Sequence, residues 1–293
     1  MSPFLSALRR PCLLLAFCGV LQGCAPMLNK ALTAENRTRV RDVDVQVLMP
    51  QETVIFSADS PNVSAALGGG LIGALIDASV QKSRQEAMSA EMGVFLDRLA
   101  DIDFRGESKA ALADGTSGFA LKVSTAEVLA RIPTKSALDA RIARTKGGSA
   151  FMRLFVYYTL DPKSLTLTTR SYAQMWQDGA AERSYAGSFI YQEAAPAALA
   201  GAAPGAEAAA VREMMRRAVL QTLRMASLDI NQPAPATPAA SATSAAPRKA
   251  DAKPQYTFAM GGTRVPLAGD LIAREGDRVV LRDKGGVLFS VQK

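Results

Sequence analysis

The stretch AFMRLFVYYTL-DPKS-LTLTTRSYAQMW, residues 150–176, decides how this chain folds. Its two apolar arms are rich in β-branched and aromatic side chains, which fit a pleated, half-buried surface. The four residues between them, Asp161-Pro162-Lys163-Ser164, are a turn by composition: proline presets φ, and Asp and Ser side chains favour turns by their capacity to bond nearby backbone. In the second arm Leu165, Leu167, Thr169 and Ser171 share one face, and Thr166, Thr168, Arg170 and Tyr172 the other. Gln177, Asp178 and Gly179 turn the chain again, and residues 183–192 read as a third strand. The expectation is an antiparallel meander. Its aromatic residues (Phe155, Tyr157, Tyr158, Tyr172, Trp176, Tyr185, Phe189 and Tyr191) are expected to pack across strands and into the core. A binding face is the alternative.

Working outward, residues 42–49 alternate: Val43, Val45 and Val47 point one way, Asp44, Gln46 and Leu48 the other. That predicts a half-buried strand ended by Pro50, with a second short strand at 53–57. Residues 124–142 mix helix formers with Pro133 and give no clear period. Residues 206–228 predict a helix with Val211, Met214, Met215, Ala218, Thr222 and Met225 on one side, and Arg212, Arg216, Arg217 and Arg224 largely elsewhere. A basic amphipathic helix can lie on a membrane, but covering the sheet is the preferred reading. Residues 41–231 are therefore expected to form an α+β domain, an antiparallel sheet (meander) packed by two or more helices.

Residues 232–254 are Ala/Pro/Ser/Thr-rich and read as a linker. Beyond it, 255–293 reads as a small β-hairpin unit: 278–282 and 287–291 flank Asp283-Lys284-Gly285-Gly286, a strong turn signal. A module below about 40 residues rarely folds unaided. It should dock on the main domain, pair with another chain, or bind a ligand.

The most apolar stretch after the leader is 63–80. Small residues recur there every fourth position, Ala65, Gly69, Gly73 on one row and Ala66, Gly70, Ala74, Ala78 on the next. Such rows allow close helix approach, which makes Gly69 and Gly73 candidates for helix packing or oligomerisation. The uncharged run 62–76 falls short of the roughly 20 residues a membrane span needs, so a buried helix is preferred. An amphipathic continuation runs through Met88, Met92, Phe95, Leu96 and Leu99.

The chain contains no histidine, and its cysteines are Cys12, Cys18 and Cys24. Without imidazole, the Ser-His-Asp and Cys-His arrangements are excluded, as is the commonest metal ligand. Asp101-Ile102-Asp103 resembles the start of a calcium loop, but Arg105 and Leu112 stand where that loop needs oxygen ligands. Asp97, Asp101 and Asp103 read instead as a solvated helix end. No catalytic residues, metal site or cofactor are expected. The net charge of +7 includes Arg9 and Arg10 of the leader and is dispersed. It suits anionic headgroups and is too unclustered to predict nucleic acid.

Residues 1–23 carry Arg9 and Arg10, no acid, and an apolar run from Leu13 to Leu21, the pattern of a secretory signal. Leu21-Gln22-Gly23-Cys24 resembles the lipobox of bacterial lipoprotein precursors. That resemblance covers 1–24 and implies cleavage before Cys24, followed by lipidation of its thiol and acylation of its new amine. One acyl chain gives only marginal membrane affinity, so several on one residue meet a physical need. Residues 24–40 then read as a tether. Ala25 follows the cysteine, where an Asp tends to retain such proteins at the inner membrane, and this implies the outer membrane, facing the periplasm. The order strand, Gly-rich helix, long hairpin, terminal helix is similar to uncharacterised proteobacterial envelope lipoproteins carrying a Gly-Gly-Gly-Leu-Ile-Gly-Ala-Leu-Ile-type segment, a likeness that implies no activity. The expected role is non-catalytic binding or assembly with other envelope proteins, with membrane lipid contacted through the acyl chains and oligomers possible. The alternatives are an oligomeric secretion or pore accessory built on the Gly-rich helix, and a cell-wall- or lipid-acting enzyme that works without histidine.

Overall fold

The computed structural model describes residues 29–51, 55–56, 102–115, 122–161, 166–194, 206–232, 256–260 and 263–292. Cys24, Gly69 and Gly73, the whole 62–80 segment and the linker 233–254 lie outside the described residues. The elements are α1 (Ala34–Arg39), β1 (Asp42–Leu48), β2 (Ile55–Phe56), α2 (Phe104–Gly115), β3 (Lys122–Leu129), α3 (Lys135–Ile142), β4 (Ser149–Asp161), β5 (Thr166–Gln177), β6 (Tyr185–Ala194), α4 (Ala206–Asn231) and β7 (Tyr256–Met260). Four strands follow: β8 (Thr263–Leu267), β9 (Asp270–Glu275), β10 (Arg278–Arg282) and β11 (Leu288–Gln292).

The fold is α+β, with the meander β4–β5–β6 at the centre of a nine-stranded sheet ordered β3-β1-β4-β5-β6-β11-β10-β9. The long hairpin pairs Ala150 with Gln177 and Asp161 with Thr166, and β6 continues it antiparallel. The flanks are parallel: β1 lies between β3 and β4 and runs with both, so the sheet is mixed. Parallel strands of one sheet need long crossovers, and α3 lies in the one from β3 to β4, which passes over β1 between them. β2 takes up the same edge of β4 beyond the end of β1, at Thr159 and Leu160. Between the two segments the Gln51 side chain stands in for a peptide. Its Nε2 donates to Tyr158 O at 2.9 Å, and its Oε1 accepts from Tyr158 N at 2.6 Å.

One face of the sheet carries the main core. Val43, Val45 and Val47 of β1, Met152, Leu154 and Val156 of β4, and Leu167, Ala173 and Met175 of β5 meet α4 and α2 there. On α4, Val211, Met214, Met215, Ala218, Val219, Leu223, Met225 and Ala226 are buried at three- and four-residue intervals, the apolar stripe of a helix lying on a sheet. Its arginines find the protein's own acids: Arg216 pairs with Glu107 of α2, Arg217 with Glu193 of β6, and Arg224 with Glu275 of β9. β1 is more buried than alternation alone predicts. Gln46 and Leu48 are as enclosed as the valines, because the strand is interior to the sheet and its second face is not left to solvent. Of the eight meander aromatics, six are buried, and only Phe155 and Tyr157 reach the surface appreciably. The packing expectation therefore describes most of them.

The C-terminal unit docks on the main domain. β11 pairs parallel with β6, Leu288 beside Phe189 and Ser290 beside Tyr191, and β10 and β9 extend the sheet outward. Val280 and Leu288 join the main core. On the other face Phe258, Val279, Leu281 and Val291 form a second apolar cluster with the β7–β8 hairpin. Arg282 and Tyr185 both bond the Asp229 carboxylate of α4, the tyrosine at 2.6 Å, which ties tail, meander and helix at one point. In the β10–β11 turn Gly286 has φ +81°, a backbone conformation that glycine adopts without a steric penalty. Asp103 caps α2, accepting from Gly106 N at 2.9 Å and Arg105 N at 3.1 Å, so its role is that of a helix end.

Candidate functional site

The parallel corner of the sheet holds a cleft of about 630 Å³, within the range typical of small-molecule sites. It lies at the N-terminal ends of β1, β3 and β4, where the C-terminal half of α3 passes over the sheet. Its lining includes Asp42, Asp44, Ser124, Thr125, Arg141 and Arg144. Space persists because the side chains that α3 presents to it are short: Ala137 and Ala140.

Each wall has a local cause. Helix α3 begins at Thr134, whose hydroxyl accepts from Ala137 N at 3.3 Å, satisfying one of the unpaired first-turn donors. Leu138 and Ile142 anchor it on Phe151 and Trp176, whose rings stack at 5.8 Å. Arg141 and Arg144 therefore sit at the C-terminal end of the helix, where its dipole favours cations. The chain then enters β4 through Gly147 and Gly148, at φ +63° and +95°. A Cβ on Gly148 would lie 2.8 Å from the Arg39 carbonyl oxygen, so a larger residue there would disturb the turn. Thr145 donates to Ile142 O at 2.7 Å and accepts from Gly179 N at 2.9 Å, pinning this turn to the one between β5 and β6.

Between β1 and β3 the register shifts. Val43 faces Val123, but Asp44 faces Thr125, so Ser124 is an extra residue. Successive strand residues ordinarily point to opposite faces. The bulge brings both Ser124 and Thr125 to the cleft, a local use of such irregularities seen beside binding sites.

Arg141 organises the interior. Its Nε and Nη2 bond the two oxygens of Asp44 at 2.9 Å each, a bidentate pair. Its Nη1 bonds Glu127 Oε1, and Gln46 Nε2 donates to that same oxygen at 2.7 Å. Thr125 donates its hydroxyl to Asp44. The guanidinium lies 5.0 Å from the centre of the Phe151 ring. Burial works against the charge of Arg141, but Asp44 and then Glu127 outweigh it and raise its pKa above the ordinary arginine value. Asp44 is thus committed to a permanent cation on both oxygens, a poor arrangement for a proton-transferring acid.

Asp42 and Arg144 behave differently. Both line the cleft, and among the described residues neither makes a side-chain hydrogen bond or an ion pair. The site thus has a closed inner pair and two open charges of opposite sign.

A second polar group lies nearby on the same face of the sheet. Arg153 stacks over Phe155 at 5.0 Å and Trp176 at 5.5 Å and donates to Gln174 at 2.9 Å. Burial, and then the nearby Arg183 charge, lower its pKa. Its Nε has no acceptor among the described residues. Tyr157, 44% exposed, is on this face too. Among the described residues no group of three or more Asp, Glu, Cys or His side chains is placed to hold a metal.

The sequence reading named Cys24, Gly69 and Gly73 as site residues, and none is among the described residues. The α3 and β3 residues of the cleft are not marked in the sequence, because 124–142 gives no clear period. Two signals were present: Thr134 placed as an N-cap before Lys135, and a short alternation of Val123, Ala126 and Val128 blurred by the bulge at Ser124.

No protein-family model matches the chain, and no curated protein matches it.

Proposed function

We propose that this chain is a membrane-anchored envelope lipoprotein, held by acyl chains on Cys24, with a non-catalytic binding role served by the cleft under α3. The address rests on the tetrad Leu21-Gln22-Gly23-Cys24 after a basic and apolar leader. The binding role is carried by one observation: Arg141 commits Asp44 and Glu127 to structure while the cleft beside them keeps Asp42 and Arg144 open. Hydrolytic or group-transfer chemistry without histidine calls for a carboxyl or lysine free to move a proton at the reacting atom. Asp44 is engaged by a guanidinium, and the open acid, Asp42, has no lysine and no second free carboxyl beside it in the cleft lining. Exported and lipid-held, the domain presents this cleft to whatever lies in the compartment it faces.

Filling the cleft tests the role. Ala140 is exposed on α3 and lines the cleft, so Ala140→Trp occupies the space without entering the core. Crosslinking in intact envelopes, from a photoreactive group placed at Lys135, is expected to give a defined adduct with the unmodified protein. The Ala140→Trp protein, equally membrane-bound and equally stable, is expected to lose it. An identical adduct pattern from both proteins contradicts a binding role for the cleft.

A further inference from the structure

We infer that the cleft takes a small zwitterion, a molecule the size of an amino acid or dipeptide carrying one ammonium and one carboxylate. This rests on the reading of the cleft as a binding site. Four charged side chains line it, Asp42, Asp44, Arg141 and Arg144, and their formal charges cancel. A simple anion or a simple cation gains little from such a lining. The charges are not equivalent, however. Asp44 and Arg141 satisfy each other through two 2.9 Å bonds, which leaves one free carboxylate and one free guanidinium.

Those two line the same space and form no ion pair among the described residues, whereas Arg141–Asp44 and Lys135–Asp139 close by do pair. Asp42 is fixed at the first residue of β1, its Cα registered with Lys122 and Ser149. Arg144 stands on the turn after α3, its backbone N–H bonded to Arg141 O at 3.1 Å. Strand and turn hold them on different walls. A ligand with opposite charges at its two ends bridges the gap that they do not close: its ammonium meets Asp42 and its carboxylate meets the fork of Arg144, the geometry for which guanidinium is suited. The bulge adds a further polar group. Ser124, displaced from strand alternation into the cleft, has no side-chain partner among the described residues and can donate or accept at the ligand's middle. The alanine lining of α3 leaves room for a small ligand and offers no aromatic platform for a larger flat one.

The test uses the detergent-solubilised full chain and calorimetric titration with alanyl-alanine, its N-acetyl derivative, its C-terminal amide, and glucose as a neutral polyol. Alanyl-alanine is expected to bind, and blocking either end is expected to weaken binding at least tenfold. Asp42→Asn and Arg144→Gln are each expected to weaken it at least tenfold with the melting temperature unchanged. In Asp42→Asn the N-acetyl block should cost nothing further, and in Arg144→Gln the amide should cost nothing further. That cross-pattern assigns each ligand end to its residue, which a general structural effect would not produce. Equal binding of free and blocked dipeptides, binding of glucose alone, or no binding by any probe overturns the zwitterion assignment. The binding role itself is judged separately, by whether Ala140→Trp removes the envelope adduct.

Discussion

Arg141 is the side chain on which the shape of the cleft depends. It joins α3 to β1 and β3 through Asp44 and Glu127, with about a quarter of its side chain exposed, 27%. Charge-assisted hydrogen bonds contribute about 1.5–3 kcal/mol each, less where water competes. Arg141→Ala leaves two acids facing each other without a cation and is expected to cost about 2–3 kcal/mol in urea unfolding. Arg141→Lys keeps the charge but not the fork and should recover only part of that. Asp44→Ala with Arg141→Ala together should cost clearly less than the sum of the two, since both remove the same pair; strict additivity would show that the pair does not couple.

Tyr185 makes a different residue-scale statement. It is fully buried, and burial first, then the Asp229 carboxylate it bonds, push its pKa well above the ordinary 10.0. Below pH about 10 the tyrosine is neutral folded or unfolded, so its contribution to stability is fully present there. Above that value the unfolded chain ionises while the folded one does not, and stability falls with rising pH until the folded pKa is reached. The wild type should therefore lose stability steeply above pH 10. In Tyr185→Phe the slope in that window should be shallower by up to about 1.4 kcal/mol per pH unit, the effect of one linked proton. Equal slopes in the two proteins would mean that Tyr185 titrates freely.

At the scale of elements, the meander was legible because its cause is local. Alternation in 165–172, turn formers at 161–164 and the aromatic run at 155–158 act on neighbouring residues, and each shows in a short window. Helix α4 was legible for the same reason, its methionines and valine recurring at helical spacing. The parallel flank was not. β1 pairs with β3 and β4, whose registers depend on contacts far away in sequence, and no local pattern in 42–49 says which strand will lie beside it. The bulge at Ser124 also erased the alternation that would have marked β3, and the cleft was hidden with it. The tail lies between these cases. Its hairpin was visible in Asp283–Gly286, but the docking choice was left among three options. It is decided by Val280 and Leu288 entering the main core and by Arg282 meeting Asp229. Leu288→Ala is accordingly expected to cost about 2–5 kcal/mol, as for other large-to-small core changes. Removing residues 256–293 strips β11 from β6 and should lower the melting temperature markedly. A shortened protein that melts at the wild-type temperature would contradict the docked arrangement.

At the scale of the whole molecule, Arg216, Arg217 and Arg224 of α4, each about half exposed, pair with Glu107, Glu193 and Glu275. Those pairs give the basic helix a structural task, and the proposed membrane attachment is through the N-terminus. The proposed account joins two features far apart in the chain: an acylated Cys24 that fixes where the protein works, and a cleft between α3 and the parallel strands that gives it something to hold there. Multiple acyl chains provide the stable anchoring that one chain does not. The most direct measurement is fractionation of cells expressing the wild type and Cys24→Ser, with the mass of the mature N-terminal residue determined. The account predicts a membrane-bound wild type whose Cys24 carries acyl chains, and a variant released from the membrane fraction. Tight membrane attachment of the Cys24→Ser protein, or an unmodified Cys24 in the wild type, would contradict it.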